Sequence, residues 1–178
     1  MPFFGPNGNA IYWSARAMGN EDPKYLEPDP HDGPADKEAV MYCLDWEKIV
    51  GKRVLICEGA TDALSLWMAG LPAVSTQGAQ YYSLQDMILK GLDVTPVFAF
   101  DRDAAGRRAV LGAQKVYGRE DAFFIFPPTK EDDPEDEKGH DWNSLLVAKG
   151  PEYLKTYILR YTRHLDEKTL FMIQRSVA

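Results

Sequence analysis

The sequence is poor in the residues that build cysteine-based sites and membrane spans. Its 178 residues include two cysteines and three histidines. No CxxC pair is present and the histidines lack metal-ligand spacing, which argues against a zinc ribbon or a disulfide framework. No apolar run approaches the length of a membrane span, and no signal-peptide pattern opens the chain. We therefore expect a protein of the reducing cytoplasm that has no membrane partner.

Positive charge is also in deficit, because 20 Lys and Arg face 27 Asp and Glu, which gives a net charge of −7. Such a balance opposes a primary role as a nonspecific nucleic-acid binder. The acidity is uneven, since the segment 130–138, KEDDPEDEK, holds six acids and two bases. We expect this segment to be a solvated loop rather than a metal site. The milder charge elsewhere allows a local basic face.

The stretch 53–70 combines a buried strand with an acid at its end. Its apolar run Val54–Cys57 is typical of a strand that is covered on both faces. Glu58 and Gly59 follow, and then apolar residues at helical spacing, with Asp62 in the first turn. Ligands of open α/β sheets bind at the carboxyl ends of the strands, so Glu58 marks a candidate site.

The same arrangement recurs downstream. Val97–Phe100 is a second apolar run, and it is followed by Asp101 and Asp103. If the two strands are parallel neighbours, Glu58, Asp101 and Asp103 converge at one edge of the sheet. Three carboxylates repel one another unless a cation lies between them. Oxygen ligands suit Mg²⁺ or Mn²⁺, so the pattern predicts a site for such an ion.

Apolar runs and helical patterns alternate along residues 53–148, which predicts an α/β fold. We expect a roughly four-stranded parallel sheet with helices on both faces, preceded by a small N-terminal β-hairpin and followed by C-terminal helices. The hairpin would turn at Asn7–Gly8 and return over 11–16. Ser83 is expected to cap the second helix, with Asp86 at N3. The expected strands are 53–57, 73–75, 96–100 and 122–126, and the expected helices are 60–69, 83–90, 104–116, 141–148 and one or two within 151–177.

The order of these motifs resembles that of the Toprim domain, which DnaG-type primases, topoisomerases and some nucleases share. The first family motif is a strand followed by Glu-Gly and an Asp three residues later, and Glu58–Asp62 matches it. The second is Asp-x-Asp followed by Ala-Gly-Arg, which Asp101–Arg107 matches with one extra alanine. A glycine loop lies between them in the family, and Ser75–Ala79 resembles it.

The resemblance continues on both sides of these motifs, in elements specific to primases. A Gly-Arg pair and a Pro-Lys-Tyr-Leu segment are similar to Ala15–Arg16, where alanine replaces the family glycine, and to Pro23–Leu26. Met41–Leu44 is similar to the family's Leu-Tyr-Gly-Leu element. Gly139–Asn143 resembles the Lys-Asp-Trp-Asn segment of phage and plasmid primases, where DnaG-type proteins have their last acidic motif. A primase of a phage, plasmid or mobile element is implied.

This resemblance implies template-directed ribonucleotidyl transfer in DNA replication. The implied partners are a single-stranded DNA template, ribonucleoside triphosphates and a replicative helicase. Glu58, Asp101 and Asp103 would be the catalytic residues and would hold Mg²⁺ or Mn²⁺. The implied metal-site residues are Glu58, Asp62, Asp101, Asp103 and Asp141, and the implied nucleotide- or DNA-binding residues are Arg16, Lys24 and Arg107.

The resemblance also divides the chain. Residues 1–50 would be the C-terminal remnant of the N-terminal subdomain of the primase core, 51–150 the Toprim domain and 151–178 a helical extension. No zinc-binding module is evident, and most of the N-terminal half of the primase core lies outside the match. We therefore expect the isolated chain to require further parts before it can make primers.

Other interpretations fit the same residues. Strand breakage of the nuclease or topoisomerase type is one, although no nucleophilic tyrosine can be identified for it. A Toprim module that binds metal and nucleic acid without catalysis is another. Single acids also have simpler explanations: Glu58 as a salt-bridge partner, Asp62 as a complement to the helix dipole, and Asp101, Asp103 and Asp141 as helix-capping or first-turn acids.

Overall fold

The computed structural model describes residues 1–19, 22–23, 25–29, 37–129 and 140–177. Short 3₁₀ turns occur at Lys37–Ala39 and Glu47–Ile49. The strands are β1 Pro2–Phe4, β2 Ala10–Trp13, β3 Ala15–Arg16, β4 Tyr25–Leu26, β5 Tyr42–Cys43, β6 Arg53–Cys57, β7 Ala73–Ser75, β8 Thr95–Phe98, β9 Phe123–Phe124 and β10 Arg163–His164. The α-helices are α1 Ala60–Met68, α2 Ser83–Gly91, α3 Ala104–Tyr117, α4 Trp142–Lys149, α5 Pro151–Tyr161 and α6 Glu167–Arg175.

A six-stranded sheet of order β10-β9-β8-β6-β7-β5 forms the centre of the protein. Its four central strands are parallel, which confirms the predicted parallel sheet. At the edges, β5 and β10 pair antiparallel with β7 and β9. The sequence did not predict β10, since a two-residue polar strand, Arg163–His164, is too short to show an alternating pattern.

The apolar run of β6 is buried on both faces, as its sequence predicts. Successive side chains of a strand point to opposite faces. Leu55 and Cys57 accordingly join one hydrophobic cluster, and Val54 and Ile56 join the other. Each such buried aliphatic side chain stabilises the fold by roughly 1.5–3 kcal/mol. This strand therefore ties the two halves of the core together, and it holds the residue that follows it, Glu58, at a fixed place.

Helices cover both faces of the sheet, three on each side. Helices α1, α4 and α5 pack on one face, and α2, α3 and α6 pack on the other. Their buried anchors include Leu66, Leu145 and Leu154 on the first face and Leu89, Val110 and Ile173 on the second. None of the helices in the described ranges is long and apolar enough to cross a membrane.

The N-terminal hairpin forms as predicted, but its return strand ends early. Gly8 provides the positive φ of +78° that its turn requires. After β2 the chain bends at Ser14, whose N–H donates to the carbonyl of Met1, so residues 15–16 leave this hairpin and pair with β4 instead. The hairpin packs on the sheet through Phe3, whose ring lies 5.3 Å from that of Tyr42.

The predicted capping of α2 is wrong by one residue. Tyr82, not Ser83, is the N-cap, and its backbone N–H donates to Oε1 of Gln85 at 3.1 Å. Asp86 instead accepts a hydrogen bond from Tyr81 and pairs with Lys90 at 2.6 Å. Glutamine at N3 serves a capping box as well as an acid does, because its side-chain oxygen can reach back to the N-cap N–H.

Candidate functional site

A cleft of about 520 Å³ lies at the carboxyl ends of the parallel strands. The register of β6 and β8 pairs Ile56 with Phe98, so the chain leaves both strands at the same edge of the sheet. The N-terminal segment forms the opposite wall through Ser14, Arg16 and Tyr25. We call this space the catalytic cleft, after the role that the sequence predicts for its acids. The predicted site residues that line it are Arg16, Glu58, Asp62, Asp101 and Asp141.

Glu58 and Asp101 meet directly where the two strands end. The backbone N–H of Asp101 donates to Oε1 of Glu58 at 3.3 Å. Burial, and then the negative charges of Asp101 and Asp103, raise the pKa of the Glu58 carboxyl to about 7. Burial also raises the pKa of Asp101, with Asp141 and Asp103 as further causes. These acids therefore lie close enough in the folded chain for their negative charges to repel one another, as the sequence predicts.

Asp62 lies on the same cleft but is held by a different helix. Its Oδ1 accepts a hydrogen bond from the backbone N–H of Asn143 at 3.1 Å, at the start of α4. Ser65 of α1 donates to Oδ1 of Asn143 at 3.1 Å, so the two helices are joined twice. Burial, followed by the charges of Asp141 and Asp101, raises the pKa of Asp62 to about 7. Asp62 is thus more than a complement to the helix dipole.

A buried tryptophan fixes α4 against the segment that follows β8. The indole N–H of Trp142 donates to the carbonyl of Ala99 at 2.7 Å, and the side chain is fully buried. Ala99 lies two residues before Asp101, so this bond sets the distance between the start of α4 and the acids. The Asp-Trp-Asn segment therefore supplies Asp141 to the cleft, an anchor to the sheet, and the N–H that holds Asp62.

Asp103 and Asp141 are both helix N-caps. Asp103 Oδ1 accepts from the N–H of Gly106 at 2.7 Å, and Asp141 Oδ1 accepts from the N–H of Ser144 at 2.6 Å. Both side chains are exposed. Capping occupies one carboxylate oxygen of each acid and leaves the second oxygen, so it does not prevent a cation from binding there.

Gly106 allows α3 to start unusually close to Asp101. A Cβ at this position would lie 1.9 Å from the carbonyl oxygen of Asp101, which no side chain can tolerate. The close approach brings the N-terminus of α3 beneath the turn that carries the acids. The glycine of the second motif is therefore required by packing rather than by backbone conformation.

The donor atoms suit a hard divalent cation, although they do not form a finished metal site. Within the described ranges, no three acidic, histidine or cysteine side chains stand close enough together to hold an ion as they are placed. The donor set is nevertheless all carboxylate oxygen, which Mg²⁺ and Mn²⁺ prefer. A cation between Glu58 and Asp101 would also relieve the repulsion that raises their pKa values.

The predicted basic residues have different surroundings. The guanidinium of Arg16 lies 5.7 Å from the ring centre of Tyr25, on the wall of the catalytic cleft. Arg107 does not line that cleft: its Nη1 donates to the carbonyl of Arg102 at 2.8 Å and steadies the turn between the acids. Its predicted contact with nucleotide or DNA stays a prediction. Lys24 and the acidic segment 130–138 lie outside the described residues.

Several lining residues were not predicted from the sequence. Tyr25, Glu27, Thr61 and Gln77 all line the catalytic cleft. Gln77 has a left-handed backbone, with φ of +60°, in the loop after β7. Its place in the glycine loop 75–79 was the signal that could have identified it. The positive φ, which often occurs at functional turns, is visible only in the structure.

With this geometry in view, comparison with known proteins is informative. The Toprim-like family model matches residues 55–146. A DNA primase of Thermotoga maritima is 30% identical over 141 residues, which cover 76% of this chain and 25% of that relative. A DNA primase domain from Pseudomonas aeruginosa has a TM-score of 0.77 at 25% identity, covering 98% of this chain and 54% of the solved one. A DnaG primase catalytic domain bound to single-stranded DNA has a TM-score of 0.71 at 24% identity, covering 90% of this chain and 51% of that one.

The chain spans about a quarter of the length of the curated relatives it matches, and about half of the solved chains. The family match includes Glu58 and Asp101, the acids that meet at the strand ends. The likeness to solved primase domains extends beyond it, over the N-terminal hairpin and the C-terminal helices, since nearly the whole chain superposes. The expected central parallel sheet with helices on both faces is common to them. The chain belongs to the Toprim-like family, and its Toprim domain is of the DnaG primase type.

Proposed function

We propose that this chain is the catalytic Toprim part of a DNA primase and acts in template-directed ribonucleotidyl transfer. In that reaction a 3′-hydroxyl attacks the α-phosphate of a ribonucleoside triphosphate, and pyrophosphate leaves. The observation that carries the proposal is the junction of Glu58 and Asp101 at the ends of two parallel strands, inside a cleft, with raised pKa values. Phosphoryl transfer depends on positioning and charge stabilisation, and cations held at this junction would supply both.

The roles of the acids follow from their positions. Glu58, Asp101 and Asp103 would hold Mg²⁺ or Mn²⁺ through their carboxylate oxygens. Asp62 and Asp141 lie close enough to these acids for their charges to interact, so they would support a second ion. Such ions, when bound, neutralise the phosphates and activate the attacking hydroxyl. Glu58 could alternatively act as the general base for the attacking hydroxyl, because it lines the cleft at the end of β6.

The opposite wall of the cleft suits a nucleotide. Arg16 offers a cation for phosphate, and Tyr25 beside it offers a ring for a base. We assign Lys24 and Arg107 to phosphate contacts on the resemblance to primases alone. The DnaG primase catalytic domain solved with single-stranded DNA supports a single-stranded template for this chain as well. A replicative helicase and a cytoplasmic location are part of the same proposal.

The division of the chain into 1–50, 51–150 and 151–178 is also proposed. Its first part contributes β5 to the edge of the central sheet, and Phe3 of the hairpin packs against Tyr42 of that strand. Its last part contains α5 and α6, which pack on opposite faces of the sheet. We therefore interpret 1–50 and 151–178 as attachments to the Toprim domain, not as separate folding units.

The test separates chemistry from the parts needed to initiate a primer. Residues 1–178 are incubated with Mn²⁺, labelled ribonucleoside triphosphate and an RNA primer annealed to a DNA template, and products are resolved on denaturing gels. Mn²⁺-dependent triphosphate binding is measured in parallel. We expect Asp101→Asn with Asp103→Asn to abolish both signals, and the remote exposed variant Glu167→Gln to preserve them.

Three outcomes are informative. Template-dependent extension that the double variant abolishes would establish nucleotidyl transfer. Metal-dependent shortening of the DNA or RNA would favour the strand-breaking alternative. If wild-type protein binds no triphosphate in Mn²⁺, or binds it as well after both acids are changed, the proposed function is wrong.

A further inference from the structure

A second cleft begins one residue beyond the catalytic cleft. It has a volume of about 390 Å³ and is built from α5, β9 and residues beside them. Asp101 lines the catalytic cleft, and the next residue, Arg102, lines this one. We call it the tyrosine cleft, after Tyr153, Tyr157 and Tyr161 on its α5 wall.

The three tyrosines form a ladder along one face of α5. They recur every four residues, so their rings lie next to one another on successive turns of the helix. The ring centres are 6.4 Å apart for Tyr153 and Tyr157, and 4.7 Å apart for Tyr157 and Tyr161. Tyr157 is buried and donates to the carbonyl of Phe126 at 3.2 Å, which anchors the ladder to the sheet.

The outer two rings are not used by the core. Tyr153 and Tyr161 are each 42% exposed, whereas the apolar anchors of the same helix, Leu154 and Ile158, are buried. Two rigid aromatic rings are thus presented to solvent at the rim of a concave site. Packing of the helix explains Tyr157, but it does not explain why the turns on either side of it carry tyrosine too.

Two arginines line the tyrosine cleft beside this ladder. The guanidinium of Arg163 lies 6.0 Å from the ring of Tyr161, and its Nη1 donates to the carbonyls of Arg160 at 3.0 Å and Thr162 at 3.3 Å. Arg102 Nε donates to the carbonyl of Pro127 at 2.7 Å. Backbone contacts therefore hold both cations in place. Among the described residues that line the cleft, none is acidic, in a chain whose net charge is −7.

We propose that the tyrosine cleft binds a single strand of nucleic acid outside the catalytic cleft. Bases would stack on Tyr153 and Tyr161, and phosphates would pair with Arg102 and Arg163. Aromatic platforms combined with fixed cations are the chemistry that single strands require, whereas a duplex hides the faces of its bases. This proposal rests on the proposed function in one respect: a strand that leaves the catalytic cleft would pass Arg102.

Two strands could supply this chemistry, the DNA template and the RNA product. They share bases and phosphates and differ in the 2′-hydroxyl. The experiment therefore compares oligodeoxyribonucleotides and oligoribonucleotides of identical sequence.

The test measures binding by fluorescence anisotropy, with 5′-labelled twelve-residue oligonucleotides and the chain 1–178 in EDTA. Working without divalent metal keeps this result independent of the catalytic acids, so failure here is distinguishable from failure of the proposed function. We expect Tyr153→Leu with Tyr161→Leu to weaken binding at least about thirtyfold, the lower end of base–aromatic stacking for two bases. Arg163→Ala should lower the dependence of log K on log salt by about 0.7, the value for one phosphate on a single strand.

The chain offers a matched control outside the cleft. Phe171 on α6 is 59% exposed, and the guanidinium of Arg175 lies 5.8 Å from its ring. This pair has the same chemistry as Tyr161 and Arg163, but neither residue lines the tyrosine cleft. Phe171→Leu and Arg175→Ala should therefore leave both affinity and salt slope unchanged.

Cross-linking locates the strand directly. Oligonucleotides that carry 5-iodouracil are irradiated on the protein, and modified peptides are identified by mass spectrometry; we expect cross-links at Tyr153 or Tyr161. A preference for deoxyribose would assign the template, and a preference for ribose would assign the product. The proposal is overturned if no oligonucleotide binds, if a duplex binds equally well, or if the double tyrosine variant keeps the oligonucleotide affinity of the parent.

Discussion

Two groups of acids share the catalytic cleft and its rim, and they differ in what holds them. Glu58, Asp62 and Asp101, the desolvated acids, lie where burial raises the pKa of each carboxyl. Asp103 and Asp141, the capping acids, are exposed and accept hydrogen bonds from the first turns of α3 and α4. The position of the desolvated acids disfavours their charged form, whereas the capping acids stabilise the helices that they begin.

This difference shows that a motif can combine opposite energetic roles. Asp101 and Asp103 are separated by one residue and belong to a single Asp-x-Asp motif, yet one is a desolvated acid and the other a cap. Replacement of a desolvated acid should therefore cost function while relieving repulsion. Replacement of a capping acid should cost stability, even where function is lost as well.

The strongest challenge to this arrangement is Gly106→Ala. Because the new Cβ would meet the carbonyl of Asp101 at 1.9 Å, α3 must move away from the strand end. We expect a loss of about 3 kcal/mol in unfolding free energy, at the upper end of the usual cost of overpacking. Chemical denaturation measures the loss.

Gly112 on the same helix is the control, since a Cβ there meets nothing within 4 Å. Gly112→Ala should stabilise the protein by about 0.5–1 kcal/mol, because alanine favours helix more than glycine does. If both variants had similar stability, the close approach of α3 to Asp101 would not be a real constraint.

The next largest effect concerns metal binding. Calorimetric titration of Mn²⁺ into Asp101→Asn with Asp103→Asn should show affinity reduced more than about tenfold, since two of three carboxylate ligands lose their charge. Asp121→Asn, an exposed acid paired with Arg119, should bind Mn²⁺ as the parent does. Equal heats from the double variant and the parent would remove these residues from the metal site.

Asp103 allows the two roles to be separated in one position. Asn caps a helix about as well as Asp does, whereas loss of the cap to Ala costs about 1 kcal/mol. Asp103→Asn should thus weaken Mn²⁺ binding with unchanged melting temperature, and Asp103→Ala should lower both. A stable Asp103→Ala protein would mean that the 2.7 Å bond to the N–H of Gly106 contributes little.

The smallest effect is the pH dependence of the desolvated acids. Glu58 has a folded-state pKa of about 7 against 4.5 in the unfolded chain, so the folded protein binds the proton more tightly. The contribution of Glu58 to stability should therefore fall as pH rises from about 4.5 through 7. Glu58→Gln should remove this contribution and leave the fall that is due to Asp62 and Asp101. After screening by solvent at this half-buried site, we expect a gain of about 1 kcal/mol at pH 8 in EDTA.

Thermal melts of both proteins at pH 4 and pH 8 check this result. The two melting temperatures should agree at pH 4, where the carboxyl is protonated in the folded and the unfolded states. A large loss of stability in Glu58→Gln at pH 8 would instead make Glu58 a structural residue.

The elements of this protein that could be predicted are those whose apolar residues follow a regular strand or helix pattern. The run Val54–Cys57 predicted a central strand, and Glu58 at its end predicted the cleft, because both depend on local sequence. The edge strand β10 and the split after Ser14 were not predictable, since each is set by a partner distant in the chain.

The burial and hydrogen bonds of the acids could not be predicted from the sequence for a similar reason. Asp103 caps α3 while Asp101 is desolvated, and this difference depends on how closely α3 approaches the end of β8. That distance is set by Gly106, and a glycine in a sequence does not reveal whether it serves conformation or contact. The tyrosine ladder had the spacing of an amphipathic helix, and the pattern alone did not reveal that its outer rings face solvent.

The short antiparallel strands at the two ends of the sheet determine how this protein can meet other chains. β5 and β10 are each two residues long, and β5 is buried whereas β10 is exposed, so neither edge offers enough free backbone to template a further strand. Growth of the sheet into a neighbouring molecule is thereby discouraged at high local concentration. A partner that meets the central sheet at these edges must instead recognise side chains, so single substitutions can tune its affinity.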